Sequence, residues 1–363
     1  MKTLFTTDYK DYQRDWPCSK RPSARAIIMV GDKIALVYAK NYGFYKFPGG
    51  GIDEEEDNVK ALIREVAEET GLCVIPESIE ECGLVHRIQA SGLVENTIFI
   101  QDSFHYFCKV KTDDSGNPVI SKQKLDSYEK DEGYELKLVD IKEAVRANIN
   151  FLSSDFAKLD MIARETLVMQ KVFKLPEVMP RHFAESLLER AAEKNPGPWK
   201  VHSLEVALAA EKIAFASGLN PDLAYTCGLI HDIGRQIGYS YIAHVYEGYH
   251  FLKSLGFEFA AKICLTHSFN LHNADDYIGE IDISTEQMQE IKSILAVTEY
   301  DDYDRLIQLL DSTCGADGTK NLEIRMNDVK QRYGYYPEGK WNKNFELKEY
   351  FEKKMGKDLY QVI

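Results

Sequence analysis

The chain is poor in the features that mark membrane, disulfide-stapled and nucleic-acid-coating proteins. No apolar run reaches the length of a membrane span, and Met1 to Trp16 is too polar and charged for a secretion signal. Seven cysteines are scattered with no CxxC pair, which argues against a disulfide scaffold or zinc ribbon and for reduced thiols. Repeats and low-complexity tracts are absent. Lysine and arginine total 44 against 58 acidic residues, a net charge of −14, and no basic stripe stands out. Tight binding to duplex nucleic acid depends on neutralising phosphates and is disfavoured. A small nucleotide is not, because bound cations supply positive charge locally. The chain reads as a soluble, cytoplasmic protein without membrane segments, its oligomeric state open.

What is present is a fixed spacing of glycine and acid. Five residues separate Gly50 from Glu56, and seven separate Glu56 from Arg64-Glu65. Glu68-Glu69 and then Gly71-Leu72 follow. On a helix, Glu65, Glu68 and Glu69 return to one face, and Val59, Leu62, Ile63 and Val66 fall on a neighbouring arc that can pack inward. Stacked carboxylates repel unless a hard cation sits among them, and magnesium or manganese (Mg2+ or Mn2+) suits such oxygens. Pro48-Gly49-Gly50-Gly51 predicts a tight loop before the helix, and Gly71 its C-terminal cap. Two strands are expected around the Gly31-Asp32 turn, Ala24–Val30 and Lys33–Val37.

This spacing resembles the Nudix box, GX5EX7REUXEEXGU, at every fixed position. The resemblance implies a metal-dependent hydrolase of diphosphate linkages. It assigns Glu65, Glu68 and Glu69 as metal or base residues, Glu56 as a secondary ligand, and Arg64, with Gly50 and Gly71, as structural support. A further acid is sought downstream, with Glu129 and Glu132 as candidates and Glu132 preferred. Phe99, Phe104, Tyr106 and Phe107 alternate as in strands and are expected in a core more than in a base pocket.

Seven of the nine histidines lie beyond residue 180. His202 opens a helical pattern running to Ser217; Asn220-Pro221 caps a second helix ending in His231-Asp232. Leu306, Ile307, Leu309 and Leu310 mark a buried helix from which Asp311 projects. The order His, His-Asp, distant Asp resembles the HD phosphohydrolase superfamily. His244, with Gly248 four residues on, and His267 fit its subset with two metals. The resemblance implies a metal set of His202, His231, Asp232, His244, His267 and Asp311, with Asp232 catalytic and able to bridge two ions. Imidazole with carboxylate suits one or two divalent transition metals (Mn, Fe, Zn, Ni or Co). His250 and His272 have weaker contexts, His250 being expected to face away from His244 on a shared helix, and His182 is expected to be structural.

The expected fold is multidomain α+β: an N-terminal Nudix α/β/α sandwich with a mixed sheet at 18–148, a connecting helix within 149–179, an all-α HD domain at 180–330, and a C-terminal extension at 331–363. The expected function is a bifunctional phosphohydrolase acting on a nucleotide-type small molecule, the HD half hydrolysing a phosphomonoester or phosphodiester, with the nucleotide that the first half releases as one candidate. Two alternatives stand beside it: a nucleotide sensor in which one domain gates the other, and an HD domain acting as a nuclease on single strands.

Overall fold

The computed structural model describes residues 1–363, which fall into two compact units. Unit 1 comprises Met1–Pro180 with Ser254–Gly256; unit 2 comprises Arg181–Lys253 and Phe257–Ile363.

Unit 1 is built on a mixed sheet of strands β1 (Thr3–Asp8), β2 (Cys18–Lys20), β3 (Ser23–Val30), β4 (Lys33–Ala39), β5 (Phe44–Lys46), β6 (Gly49–Gly51), β7 (Glu80–Ala90), β8 (Ile98–Phe107) and β9 (Tyr134–Val139). Its main path runs β1-β7-β8-β3-β4-β5; β2 pairs with β8, β6 with β3 and β9 with β4. Strand β3 is parallel to β8 and antiparallel to β4, and Val30 faces Lys33 across the turn at Gly31. The φ of 64° at Gly31 is left-handed, so glycine is suited to that turn. Helices are α1 (Asn58–Thr70), α2 (Ser127–Glu132), α3 (Ile141–Ile149) and α4 (Phe156–Val172).

Alternation along β3 makes the sandwich. Ala24, Ala26 and Ile28 pack on Ala61, Leu62 and Val66 of α1. The intervening Arg25 looks the other way, 3.8 Å from Glu165 of α4. Ile63 packs at the margin of the core, whereas Val59 is exposed and Ala61 takes the central place expected of it. An alanine fits there because β3 itself presents two alanines, so α1 can approach closely. Tyr106 lies in this core and Phe104 against it.

The stretch expected as a connector contains α4, and that helix is integral to unit 1. Asp160 on it is buried and meets Arg87 at 2.8 Å and Arg164 at 3.2 Å; Tyr9 donates to it at 2.8 Å. Three donors around one carboxylate satisfy its burial.

Unit 2 is helical: α5 (Arg181–Lys194), α6 (Trp199–Ser217), α7 (Pro221–Ile230), α8 (Ala243–Ser254), α9 (Glu258–Thr266), α10 (Thr285–Val297), α11 (Asp302–Asp311), α12 (Leu322–Tyr333) and α13 (Glu338–Met355). One short hairpin interrupts it, β10 (Cys314–Gly315) with β11 (Gly318–Thr319), so the expected all-α character holds apart from four residues. Asn220 caps α7, its side-chain oxygen accepting from the N–H groups of Asp222 and Leu223. From Leu223 to Ile230 every residue of α7 is buried, and a Cβ on Gly228 would stand 2.7 Å from Ala207 Cα on α6. Glycine lets α6 and α7 touch, which sets His202 beside His231.

Candidate metal centres

In unit 1, Asp57 caps α1 by accepting from Lys60 N–H, and Gly71, at φ 72°, ends it in the left-handed region. A Cβ at Gly71 would also lie 2.1 Å from Ser121 O. Arg64 gathers the acids of the box. Its Nε and Nη2 donate to Glu56 at 3.1 and 2.7 Å, its Nη1 to Glu65 at 2.7 Å and Glu68 at 3.4 Å, and its Nη2 also to Gly51 O at 3.0 Å. Glu56, expected as a secondary ligand, thus has both oxygens on Arg64, and that pairing holds its carboxyl below the usual range.

Glu65 lies over Gly50: a Cβ there would come 2.2 Å from Glu65 Oε2. Glu69 is 1% exposed and accepts from Lys46 Nζ at 2.6 Å and Gly49 N–H at 2.8 Å. Arg25 donates to Gly49 O from the opposite side. Arg64 and Lys46 therefore draw Glu65 and Glu68 one way and Glu69 the other, and the three do not meet in a metal-sized cluster. Oxygen donors from Glu65 and Glu68, beside a backbone loop that a side chain at Gly50 would fill, are of the right chemistry for a hard cation.

Glu132, the preferred extra acid, is engaged by Lys158 at 2.9 Å. Its alternative, Glu129, is buried, accepts from Asp126 N–H at 2.8 Å and Tyr128 OH at 3.0 Å, and feels Glu69. Burial pushes its carboxyl up; the Asp126 N–H opposes this and the charge of Glu69 adds to it. The structure thus turns Glu129 inward and pairs one oxygen of Glu132 with Lys158, leaving the other Glu132 oxygen buried without a partner. Helix α2 turns residue 129 inward, and the capping box it makes with Asp126 keeps it there.

In unit 2 five of the six predicted ligands form two groups that share Asp232, and the sixth, Asp311, lies beside the histidines of the first. The ligand atoms of His202, His231 and Asp232 lie within 4.8 Å of one another, as do those of Asp232, His244 and His267. Asp232 Oδ2 is 3.9 Å from His231 Nε2; Oδ1 is 3.0 Å from His244 Nε2 and 3.7 Å from His267 Nε2. Asp311 Oδ1 stands 3.0 Å from His202 Nε2 and 3.8 Å from His231 Nε2.

Backbone carbonyls orient the rings. Nδ1–H of His231 donates to Gly228 O at 2.6 Å, that of His267 to Cys264 O at 2.8 Å, and that of His244 to Tyr241 O. With Nδ1 donating to a carbonyl, each ring turns its Nε2 inward. His231 Nε2 faces His202 Nε2 at 3.3 Å and His244 Nε2 faces His267 Nε2 at 3.4 Å. Nitrogens this close need a proton or a cation between them. Asp232 Oδ1 is also buried without a hydrogen-bond donor, as is His202 Nδ1. Imidazole nitrogens, carboxylates and an unsatisfied buried oxygen fit divalent transition ions.

Two glycines permit this closeness. A Cβ on Gly234 would stand 1.9 Å from His244 O and 2.5 Å from Gly248 N, so the turn after His231-Asp232 lies directly on α8. Burial opposes ionisation of Asp232, but Arg235, His244 and His231 outweigh it and hold the carboxyl well below the usual range. Asp311 is likewise held low by His202 and His231 against burial. Burial pushes His267 down to about 3, keeping it neutral.

Arg235, which donates to Asp232 Oδ2 at 2.6 Å, was not singled out from the sequence; a cation three residues beyond the His-Asp pair was the available signal. Lys46 was legible as the one charge in the strand Phe44–Lys46, and Arg25 had no local signal. The remaining histidines sit elsewhere: His250 meets Glu290 at 3.3 Å, His182 meets Glu185 at 3.6 Å, and His272 stacks on Tyr300. The second centre opens into a cavity of about 1050 Å³ whose walls include Tyr277, Arg325, Tyr336 and Lys340. No helix is long and apolar enough to cross a membrane.

Residues 19–158 match the NUDIX domain family and residues 200–315 the HD domain family. No curated protein matches the chain. Among solved structures it is similar to a MutT NUDIX hydrolase from Burkholderia pseudomallei, at 19% identity over 38% of this chain and 89% of that one, TM-score 0.26. It is also similar to a NUDIX hydrolase from Nitrosomonas europaea, at 20% identity over 45% and 95%, TM-score 0.29. A putative nudix hydrolase family member from Chromobacterium violaceum is similar at 22% identity over 34% and 64%, TM-score 0.22. The chain is a NUDIX domain followed by an HD domain, a hydrolase with two domains of phosphohydrolase type.

Proposed function

We propose that the chain is a bifunctional, metal-dependent phosphohydrolase. The NUDIX domain splits the diphosphate of a nucleoside triphosphate or of a nucleoside diphosphate joined to another group. The HD domain hydrolyses a phosphoester, the nucleotide released by the first domain being its favoured substrate. The observation that carries the HD half is Asp232, a buried carboxylate set between two pairs of histidines whose Nε2 atoms converge.

Magnesium or manganese at Glu65 and Glu68, joined by Glu69 on its release from Lys46, and divalent transition ions at the six HD residues, would neutralise phosphate charge and make a water more acidic. The protein's part is to hold these donors ready. Arg64 keeps Glu65 and Glu68 side by side, and Gly50 leaves room for Glu65 against the backbone. Carbonyl acceptors fix the tautomers of His231, His244 and His267, and Arg235 keeps Asp232 ionised. Glu129, close to Glu69, is the acid proposed to assist the first site.

Product analysis tests the reading. Purified protein with magnesium or manganese is offered triphosphates, ADP-ribose and monophosphates, and products are followed by chromatography and phosphorus NMR. A monophosphate that appears and then decays to nucleoside and phosphate supports two sites in series. A monophosphate that only accumulates removes the coupling and leaves the HD site with another phosphoester.

A further inference from the structure

The C-terminal segment beyond the HD family match is tied to the second centre at three points. Asn344 on α13 is fully buried and accepts from Asn270 Nδ2 at 2.9 Å, three residues beyond His267. Its own Nδ2 donates to Ser312 Oγ at 3.1 Å, beside Asp311, and to Tyr336 OH at 2.9 Å. Asn270 Nδ2 also donates to Lys340 O at 3.3 Å. One asparagine thus joins the segments that follow two of the predicted ligands.

This seating brings Lys340 to the wall of the cavity that holds His202, Asp232, His267 and Asp311. Its Nζ donates to Ser268 O at 2.8 Å. That carbonyl takes one of three ammonium donors, no carboxylate is within ion-pairing distance, and two donors remain for an anion. The cavity wall also carries Arg325 and Arg332 beside Asp232 and Asp311, and burial lowers the Lys340 ammonium to about 8 in the absence of a direct counter-ion. A phosphoryl group lying on the predicted ligands would supply that partner.

We propose that Lys340 binds the phosphoryl oxygens of the HD-site substrate, so that residues 331–363 complete this site. The assignment rests on the HD domain being a phosphohydrolase. Lys340 offers charge-assisted hydrogen bonds to the phosphoryl group, and the Asn270–Asn344 pair holds the lysine in place.

The test is calorimetric titration of inorganic phosphate into the full chain with manganese, comparing wild type, Lys340→Met, Lys340→Arg and Asp232→Asn, with thermal melts alongside. The binding component removed by Asp232→Asn belongs to the HD cavity. Lys340→Met should weaken that component about ten-fold or more, the worth of one charged hydrogen bond, while Lys340→Arg stays within about three-fold and the melting temperature is unchanged. Equal binding by Lys340→Met and wild type overturns the proposal. So does a loss shared by both lysine variants together with a lower melting temperature, which means a scaffold role. Absence of any component sensitive to Asp232→Asn overturns it too. Direct manganese titration of wild type against His231→Ala then judges the metal-centre reading separately.

Discussion

The two centres hold acidic and basic donors in opposite ways. Around α1, the carboxylates are paired with protein cations: Glu56, Glu65 and Glu68 share Arg64, and Glu69 has Lys46. In unit 2, the imidazoles of His231, His244 and His267 are fixed from behind by backbone carbonyls, and the Nε2 atoms face one another in pairs, His231 with His202 and His244 with His267. The first set rests on side chains that can re-pair; the second is set largely by main chain and opens into the cavity. Preorganisation is therefore a backbone property in the HD domain and an ion-pair property in the NUDIX domain.

The largest effect expected from this contrast is at the shared carboxylate. Asp232→Asn should lower phosphoester hydrolysis about 10³-fold or more, the upper end for losing one preorganised charged group, while diphosphate cleavage by the same preparation is unchanged. Loss of both activities in parallel assays would mean that the sites do not work separately.

Next come the neighbouring acids of α1, which should separate activity from stability. Glu68→Gln, at a half-exposed position, should cost about 10²-fold in diphosphate cleavage and leave stability within about 0.5 kcal/mol. Glu69→Gln should lose that activity and also about 3 kcal/mol, because Lys46 is left buried without its counter-charge. Urea unfolding followed in unit 1 decides it; equal stability of the two variants would refute the buried-pair account.

A smaller effect distinguishes the units by pH. His105 in β8 is 2% exposed, and burial pushes it from its ordinary 6.5 down to about 4, against the pull of Glu165. Above the ordinary value both folded and unfolded forms are neutral. As pH falls from 6.5 to about 4, the unfolded chain takes up the proton first, so stability drops within that window. The loss is roughly 3 kcal/mol at most. Melts of wild type and His105→Gln across this range should show a flatter acid slope for the variant; identical slopes would assign the acid sensitivity elsewhere.

The smallest effect is expected at Gly50. An alanine there would meet the carboxylate of Glu65, a flexible group that can swing aside. Gly50→Ala should lower kcat for diphosphate cleavage about ten-fold with the melting temperature unchanged. Unchanged kcat would show that Glu65 does not need its seat on the loop.

Both centres were legible as residue sets because their spacing is local or their residue types are rare. Glu65, Glu68 and Glu69 share a helix, and His231-Asp232 are adjacent. The long-range assignments, His244, His267 and Asp311, rested on resemblance to the HD order; the structure places His244 and His267 at Asp232, and Asp311 at His202 and His231. The acid beyond the NUDIX helix was chosen as Glu132 because nothing in the run from Ser127 to Glu135 says which way a six-residue helix turns its carboxylates. Only the packed α2 shows Glu129 inside and Glu132 on Lys158.

By itself the sequence determined helix starts and stops, the α1 acid face, the hairpin at Gly31 and the identity of the metal-type donors. These follow from spacing, capping chemistry and backbone permissiveness within a few residues. Tertiary structure decided what those donors face. Lys46 on Glu69, Arg235 on Asp232, α4 as part of unit 1 and Lys340 beside Ser268 are set by distant segments meeting. A charge's partner is fixed by burial and packing, which no local pattern carries.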